Sequence, residues 1–189
     1  LYSVDKERKS EVLIHLIKKH NWHQVLVFSR TKHGADNLVL QLEKASISAA
    51  SIHANRTQHA RTRALAGFKH GDVVILVATD IASRGIDIEQ LPCVVNYDLP
   101  YVPEDYVHRI GRTGRAGESG SSISFACEKY ALNLPAIEEY VQHSIPVTEY
   151  NPNDLMREVT PPKPRFKKRM QSGKSHQKRP SGPRPNRNK

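Results

Sequence analysis

Cysteine is scarce in this 189-residue chain: Cys93 and Cys127 are the only two, far apart and each in or beside an apolar run. That spacing excludes a disulfide framework and a zinc-type ligand set, and it fits two buried thiols in a reducing compartment. Long hydrophobic runs are also missing. None approaches the ~20 residues that cross a bilayer, and Leu1-Tyr2-Ser3-Val4-Asp5-Lys6 has no signal-peptide h-region. A cytoplasmic protein is expected. The chain opens without methionine, as a piece of a longer protein would. Acids are absent from Pro161 to Lys189, where 11 Lys and Arg occur. The formal charge of +10 therefore belongs to the tail, because residues 1–160 carry 18 basic against 19 acidic residues.

The length allows one α/β domain with some residues over, but not two full domains. Short β-branched and aliphatic runs alternate with longer amphipathic stretches, which predicts a parallel sheet with helices on its faces. The expected strands are Val25–Phe28, Ser48–His53, Val73–Ala78, Val94–Tyr97 and Ser122–Ala126. Helices are expected at about Lys6–Lys19, Lys32–Lys44, Gln58–Lys69, Pro103–Ile110 and Lys129–Gln142. Val12, Leu13, Leu16 and Ile17 make one helical stripe, which a core face explains. The division expected is a folded domain over residues 1–150 and a basic, Pro-rich tail over 151–189. From Pro161 the tail has six prolines but only one phenylalanine and one methionine. That is too little apolar surface to offset ordering, so disorder is expected. Such a segment serves either as a solubility tail or as a polybasic arm for phosphate backbones.

Four stretches carry more polar chemistry than packing requires. Three follow apolar strands directly, at the end of a parallel sheet where ligands bind. The first is Ser29-Arg30-Thr31-Lys32, which a strand end and a helix cap at Thr31 would also explain. In the second, Gln58 and Arg61 share a face near a helix N-terminus, a site that favours anions. The third runs Thr79-Asp80-Ile81-Ala82-Ser83-Arg84-Gly85-Ile86-Asp87. A capped turn accounts for Asp80 and Gly85 and leaves Arg84 and Asp87 over. Asp80 and Asp87 could also be a hydrolytic carboxylate pair, but the spacing does not fix their separation. The fourth, His108-Arg109-Ile110-Gly111-Arg112-Thr113-Gly114-Arg115, places three arginines at three-residue steps among glycines. Such a run makes poor helix and suits guanidinium forks aimed at an anion.

Together these residues resemble the C-terminal RecA-like domain of a DEAD-box RNA helicase, nearest the bacterial RhlE type, over about residues 4–145. Val27–Thr31 resembles helicase motif IV, Gln58 with Arg61 motif IVa, Ala78–Asp87 motif V, and His108–Arg115 motif VI. The resemblance implies a RecA-like sheet between helices. It implies Arg112 and Arg115 as catalytic arginine fingers on the γ-phosphate of ATP, and Gly85 and Asp87 at the ATP ribose. It places Ser29, Arg30, Gln58, Arg61 and Thr79 along an RNA backbone, and has His108 and Arg109 couple nucleotide to the other domain. Where the family commonly has His-Gly, this chain has His53-Ala54, for which a small local adjustment is expected.

No Gly-x-x-x-x-Gly-Lys-Thr loop and no Asp-Glu-Ala-Asp site occur, so Mg²⁺ and most of the ATP phosphates need another domain. No metal site is expected on this chain. The resemblance implies an N-terminal RecA-like partner domain in the same protein, with Leu1–Lys6 following the linker, and near-inactivity of this chain alone. RNA is the implied partner, with a ribosome-assembly or RNA-degradation complex suiting the tail. A non-catalytic RNA-binding module and a DNA-directed helicase are the rival readings; the arginine triplet and Asp87 weigh against the first.

Overall fold

The computed structural model describes residues 1–88, 90–114, 120–151 and 155. Six parallel strands form one sheet: β1 (Tyr2–Ser3), β2 (Val25–Phe28), β3 (Ala49–Ile52), β4 (Ile75–Ala78), β5 (Cys93–Asn96) and β6 (Ser121–Ala126), in the order β1-β6-β5-β2-β4-β3. The helices are α1 (Lys9–His20), α2 (Lys32–Lys44), α3 (Gln58–His70), a single turn α4 (Asp80–Ser83), α5 (Pro103–Ile110) and α6 (Leu134–Val141). The α/β expectation holds, and this is the RecA-like arrangement of a parallel sheet between helices.

Both sheet faces are covered, which is why the strands read as continuous apolar runs instead of alternating ones. Val25, Val27, Ile75, Val77, Cys93 and Val95 point to one side and pack with α1 and α2. Leu26, Phe28, Leu76, Ala78 and Val94 point to the other and meet Phe68 of α3. A third cluster, around Leu99, Tyr106, Tyr130 and Ile137, seats α5 and α6. Helix starts follow local chemistry. Thr31 Oγ1 accepts from the Gly34 amide at 3.0 Å, and Thr57 Oγ1 accepts from the Ala60 amide at 3.2 Å. Each cap of this kind is worth about 1 kcal/mol.

Several boundaries moved. The first helix begins with a 3₁₀ turn at Lys6–Arg8 before α1. The stretch expected to be helical from Lys129 instead holds a 3₁₀ turn at Ala131–Asn133, and α6 starts only at Leu134, with proline in its first turn as suits a residue lacking an amide proton. The two-residue β1 has too little sequence to show a period; it forms because it can add to the edge of β6 (Tyr2↔Phe125). Leu155, expected in the tail, is 4% exposed and packs in the α1–α2 core with Tyr150 beside it. The tail from residue 156 lies outside the described residues. Among the described residues, no helix is long and apolar enough to cross a membrane.

Candidate functional site

The register of the sheet brings the first and third stretches together. Phe28 at the end of β2 pairs with Ala78 of β4 on one side and Asn96 of β5 on the other. Ser29, Thr79 and Tyr97 therefore leave the sheet side by side, at the strand ends where parallel sheets open to ligands.

A buried charge network fills this end. Arg109 of α5 is 2% exposed, and its fork is fully engaged. Nε and Nη2 donate to the two carboxylate oxygens of Asp80 at 2.7 and 2.8 Å, while Nη1 donates to Asn96 Oδ1 at 3.1 Å and to the Asp98 carbonyl at 2.6 Å. The guanidinium also lies 4.9 Å from the Phe28 ring centroid. Asp98 in turn accepts from Lys9 Nζ at 2.5 Å, from Ser29 Oγ at 3.3 Å and from the Arg30 amide at 2.9 Å. Lys9 is 2% exposed and lies over the Tyr97 ring at 4.3 Å. Burial, with the Asp98 charge beside it, pushes the Tyr97 phenol well above its ordinary range.

This geometry places several of the expected residues. Arg109 is turned inward, with every nitrogen of its fork held inside the domain. Asp80 is neutralised by Arg109, and so is no member of a hydrolytic pair with Asp87. Ser29 is buried, with its hydroxyl on Asp98. The Arg30 guanidinium lies between Tyr101 and Tyr130, 3.5 and 3.9 Å from their centroids, and Nη2 donates to the Leu99 carbonyl. The side chains of Ser29 and Arg30 thus face inward and do not line an open backbone groove in this structure.

Other residues of the same stretches face outward. An open cleft of about 930 Å³ is lined by Ser83, Arg84, Asp105, His108, Arg109 and Arg112, among others. His108 is exposed at its rim. Arg112 is half-buried, its Nη1 donating to the Ile86 carbonyl at 3.1 Å and its Nη2 to that of Ser83 at 3.5 Å. Arg84 crosses to Asp105 of α5 at 2.7 Å. Arg115 lies outside the described residues. Gly120 closes this corner: a Cβ there would stand 1.9 Å from Thr113 Oγ1 and 2.6 Å from the Gly114 amide nitrogen, so only glycine lets β6 start against the arginine loop.

Asp87 is 99% exposed, with only Lys69 Nζ near it at 3.6 Å. A Cβ on Gly85 would meet nothing within 4 Å, and Gly85 has no positive φ. Nothing inside the domain demands glycine there, and the space above it is open to a ligand.

Gln58 is exposed at the first position of α3. Arg61 reaches across to the Ala82 carbonyl at 3.3 Å, while its buried Nε has no partner among the described residues. Thr79 is the N-cap of α4, yet its hydroxyl makes no capping bond. Ala54 sits in a turn without positive φ, so alanine is accommodated there without strain.

Two further features need no ligand. Asp36 accepts from Ser51 Oγ at 2.6 Å, contacts His53 Nε2 at 2.9 Å, and accepts from Arg56 at 2.8 Å. Burial opposes its ionisation, but the hydrogen bonds from Ser51 and His53 and the charges of His53 and Arg56 outweigh it and hold the carboxyl below its ordinary range. Burial pushes the Cys93 thiol up to about 12, so it stays protonated and is no nucleophile. Among the described residues, no group of three or more His, Cys, Asp or Glu is placed to hold a metal ion.

Asp98, Lys9 and Asn96 were not singled out from the sequence. Asn96-Tyr97-Asp98 carried the same signal as the other stretches, polar residues directly after an apolar strand. Lys9 carried none, since a lysine among Lys6 and Arg8 reads as solvated surface.

Residues 8–117 match the family model of the helicase conserved C-terminal domain. The ATP-dependent RNA helicase RhlB of Pseudoalteromonas atlantica is 50% identical over 189 residues, covering 100% of this chain and 45% of the relative. The chain thus spans less than half the length of that protein. Among solved structures, the E. coli DEAD-box protein SrmB bound to regulator of ribonuclease activity A superposes with TM-score 0.76 at 32% identity, covering 86% of this chain and 95% of that one. Saccharomyces cerevisiae Dbp5 bound to RNA and ADP BeF3 gives TM-score 0.69 at 34% identity, covering 79% and 40%. The expected likeness to the RhlE type is corrected, because the matched relatives bear the name RhlB. With the model match covering more than half of the chain, and the strand-end residues arranged as described, the chain belongs to the helicase conserved C-terminal domain family, of the DEAD-box RNA helicase type.

Proposed function

We propose that this domain is the second RecA-like half of an ATP-dependent RNA helicase, supplying part of an ATP site and part of a sequence-blind RNA-backbone groove. One observation carries the reading: the second and fourth stretches converge on the α4 turn, Arg61 Nη2 donating to the Ala82 carbonyl and Arg112 Nη2 to that of Ser83. One set of groups is Arg112, His108 and the exposed carboxylate of Asp87. The other is Gln58, Thr79 and Arg61, whose buried Nε has no partner among the described residues. Arginine, glutamine and threonine side chains at the ends of helices and strands are suited to phosphate and sugar oxygens, which position a nucleic acid without reading its bases. The 2′-hydroxyl is the group by which such a surface separates RNA from DNA.

ATP fits the first set. Asp87 would accept from a ribose hydroxyl, the open space at Gly85 would admit the nucleotide, and Arg112, with Arg115, would neutralise charge at the γ-phosphate. Hydrolysis of that phosphoanhydride is the chemistry the nucleotide supplies. Mg²⁺ would be held by the N-terminal RecA-like domain that this reading requires. Each ligand stabilises the closed arrangement of the two domains, so each raises the affinity for the other. Ser29, Arg30 and Arg109 act within the domain, holding the strand ends in register. The tail would add salt-sensitive affinity for RNA. Docking on a ribosome-assembly or RNA-degradation complex is a further role consistent with its charge, as is a cytoplasmic location.

The test is ATP turnover with and without single-stranded RNA, for this chain alone and for the two-domain protein. RNA-stimulated turnover confined to the two-domain protein is the expected result. A two-domain protein that binds RNA but never hydrolyses ATP would favour the binding-module reading.

A further inference from the structure

Asp98 is the residue on which the separate strand ends converge. Its amide donates to the Phe28 carbonyl at 3.1 Å, tying β5 to the end of β2. One carboxylate oxygen holds Lys9 of α1; the other holds Ser29 Oγ and the Arg30 amide. Its carbonyl takes Arg109 Nη1, and the rest of that fork chelates Asp80, the residue directly after Thr79. Two buried cations thus meet at Asp98, Lys9 on its carboxylate and Arg109 on its main-chain carbonyl, and Arg109 carries the connection on to the Asp80 carboxylate.

The ends of that connection matter. Asp80 fixes the turn whose preceding residue, Thr79, belongs to the RNA side, and Arg109 lies three residues before Arg112 on the nucleotide side. Asp98 touches neither ligand surface. Its side chain is 13% exposed and all its bonds run inside the domain. The residue whose carbonyl receives Arg109 is thus held at its carboxylate by Lys9, Ser29 and Arg30 and at its amide by the Phe28 carbonyl. Paired with Lys9, the Asp98 carboxylate accepts from three donors at once.

We propose that Asp98, neutralised by Lys9, is a positioning residue that fixes the RNA-side turn and the arginine helix relative to each other, so that RNA binding is felt at the ATP site. This rests on the helicase reading. Neither residue is a member of the four stretches from which that reading was drawn.

The test uses the full two-domain protein, comparing Asp98→Ala and Asp98→Asn, each combined with Lys9→Met. The second substitution removes the cation that would otherwise be stranded, so neither variant leaves a buried lysine unpaired. Asparagine keeps an acceptor for the Arg30 amide, and alanine keeps none. Thermal unfolding, kcat and KM for ATP are measured with and without saturating single-stranded RNA. The alanine variant is expected to lose about tenfold of the RNA stimulation of kcat, with KM for ATP moved by less than about twofold, while the asparagine variant recovers most of it at a similar Tm. Equal stimulation in the two variants would overturn the positioning role, as would a loss that simply follows Tm. If the unmodified protein shows no RNA-stimulated turnover, the helicase reading itself fails and takes this one with it.

Discussion

The four stretches divide into two populations that sit within a few residues of each other. Arg109, Asp80, Ser29 and Arg30 are bonded inside the domain, whereas Asp87, His108 and Gln58 are exposed, with Arg112 half-buried at the cleft. Arg109 and Arg112 make the contrast sharpest. They are three residues apart in the same run, yet one chelates the Asp80 carboxylate and the other, among the described residues, makes two longer bonds to carbonyls. A chemically rich sequence run thus contains residues turned inward and residues turned outward, which under the proposed function hold the site and form it. The two kinds respond to substitution differently: the first through stability, the second through activity.

The largest expected effect separates them most cleanly. In the two-domain protein, Arg112→Ala should lower kcat by about 10³-fold or more, as for arginine fingers generally, while leaving Tm nearly unchanged. Steady-state ATPase and thermal unfolding on the same sample check both halves of that statement. Arg109→Ala should do the reverse first. It leaves the buried Asn96 side chain and the partly exposed Asp80 carboxylate without their donor, a loss of about 1–3 kcal/mol of folding stability, measurable by urea denaturation. If Arg109→Ala unfolds normally but loses ATPase, the division between holding and forming residues is wrong.

A smaller effect tests the exposed side. Asp87→Ala removes a carboxylate whose one ion-pair partner, Lys69, is distant and solvated, so stability should hold. KM for ATP should rise by about tenfold, the worth of a hydrogen bond to a charged group. The smallest effect lies away from the site. Because Asp36 has a depressed folded-state pKa, its contribution is present above the unfolded carboxylate pKa and is lost as pH falls through the folded value. Its side chain is 40% exposed, so solvent screening limits the effect. Asp36→Asn should destabilise by no more than about 1 kcal/mol at neutral pH, and the difference from the unmodified chain should close below about pH 4. Deleting Pro161 to Lys189 should lower RNA affinity and flatten its salt dependence, checked by titrations at two ionic strengths.

The sequence by itself determined the parallel α/β fold, because strands buried on both faces must read as unbroken apolar runs and helices as amphipathic stretches between them. It also singled out the end of the sheet at which Ser29 and Thr79 follow apolar strands, and it marked the arginine run as too polar and glycine-rich for packing alone. It could not separate Arg109 from Arg112, or Asp80 from Asp87, because which member of each set turns inward depends on the register of β2 with β4 and β5. It gave no sign that Lys9 is buried, or that β1 exists. A lysine becomes internal only when a carboxylate 89 residues away is brought to 2.5 Å, and a two-residue strand only when an edge is waiting for it. Those facts were decided by the tertiary structure, because burial and ion pairing depend on what surrounds a side chain, and for these residues the surroundings come from distant parts of the chain.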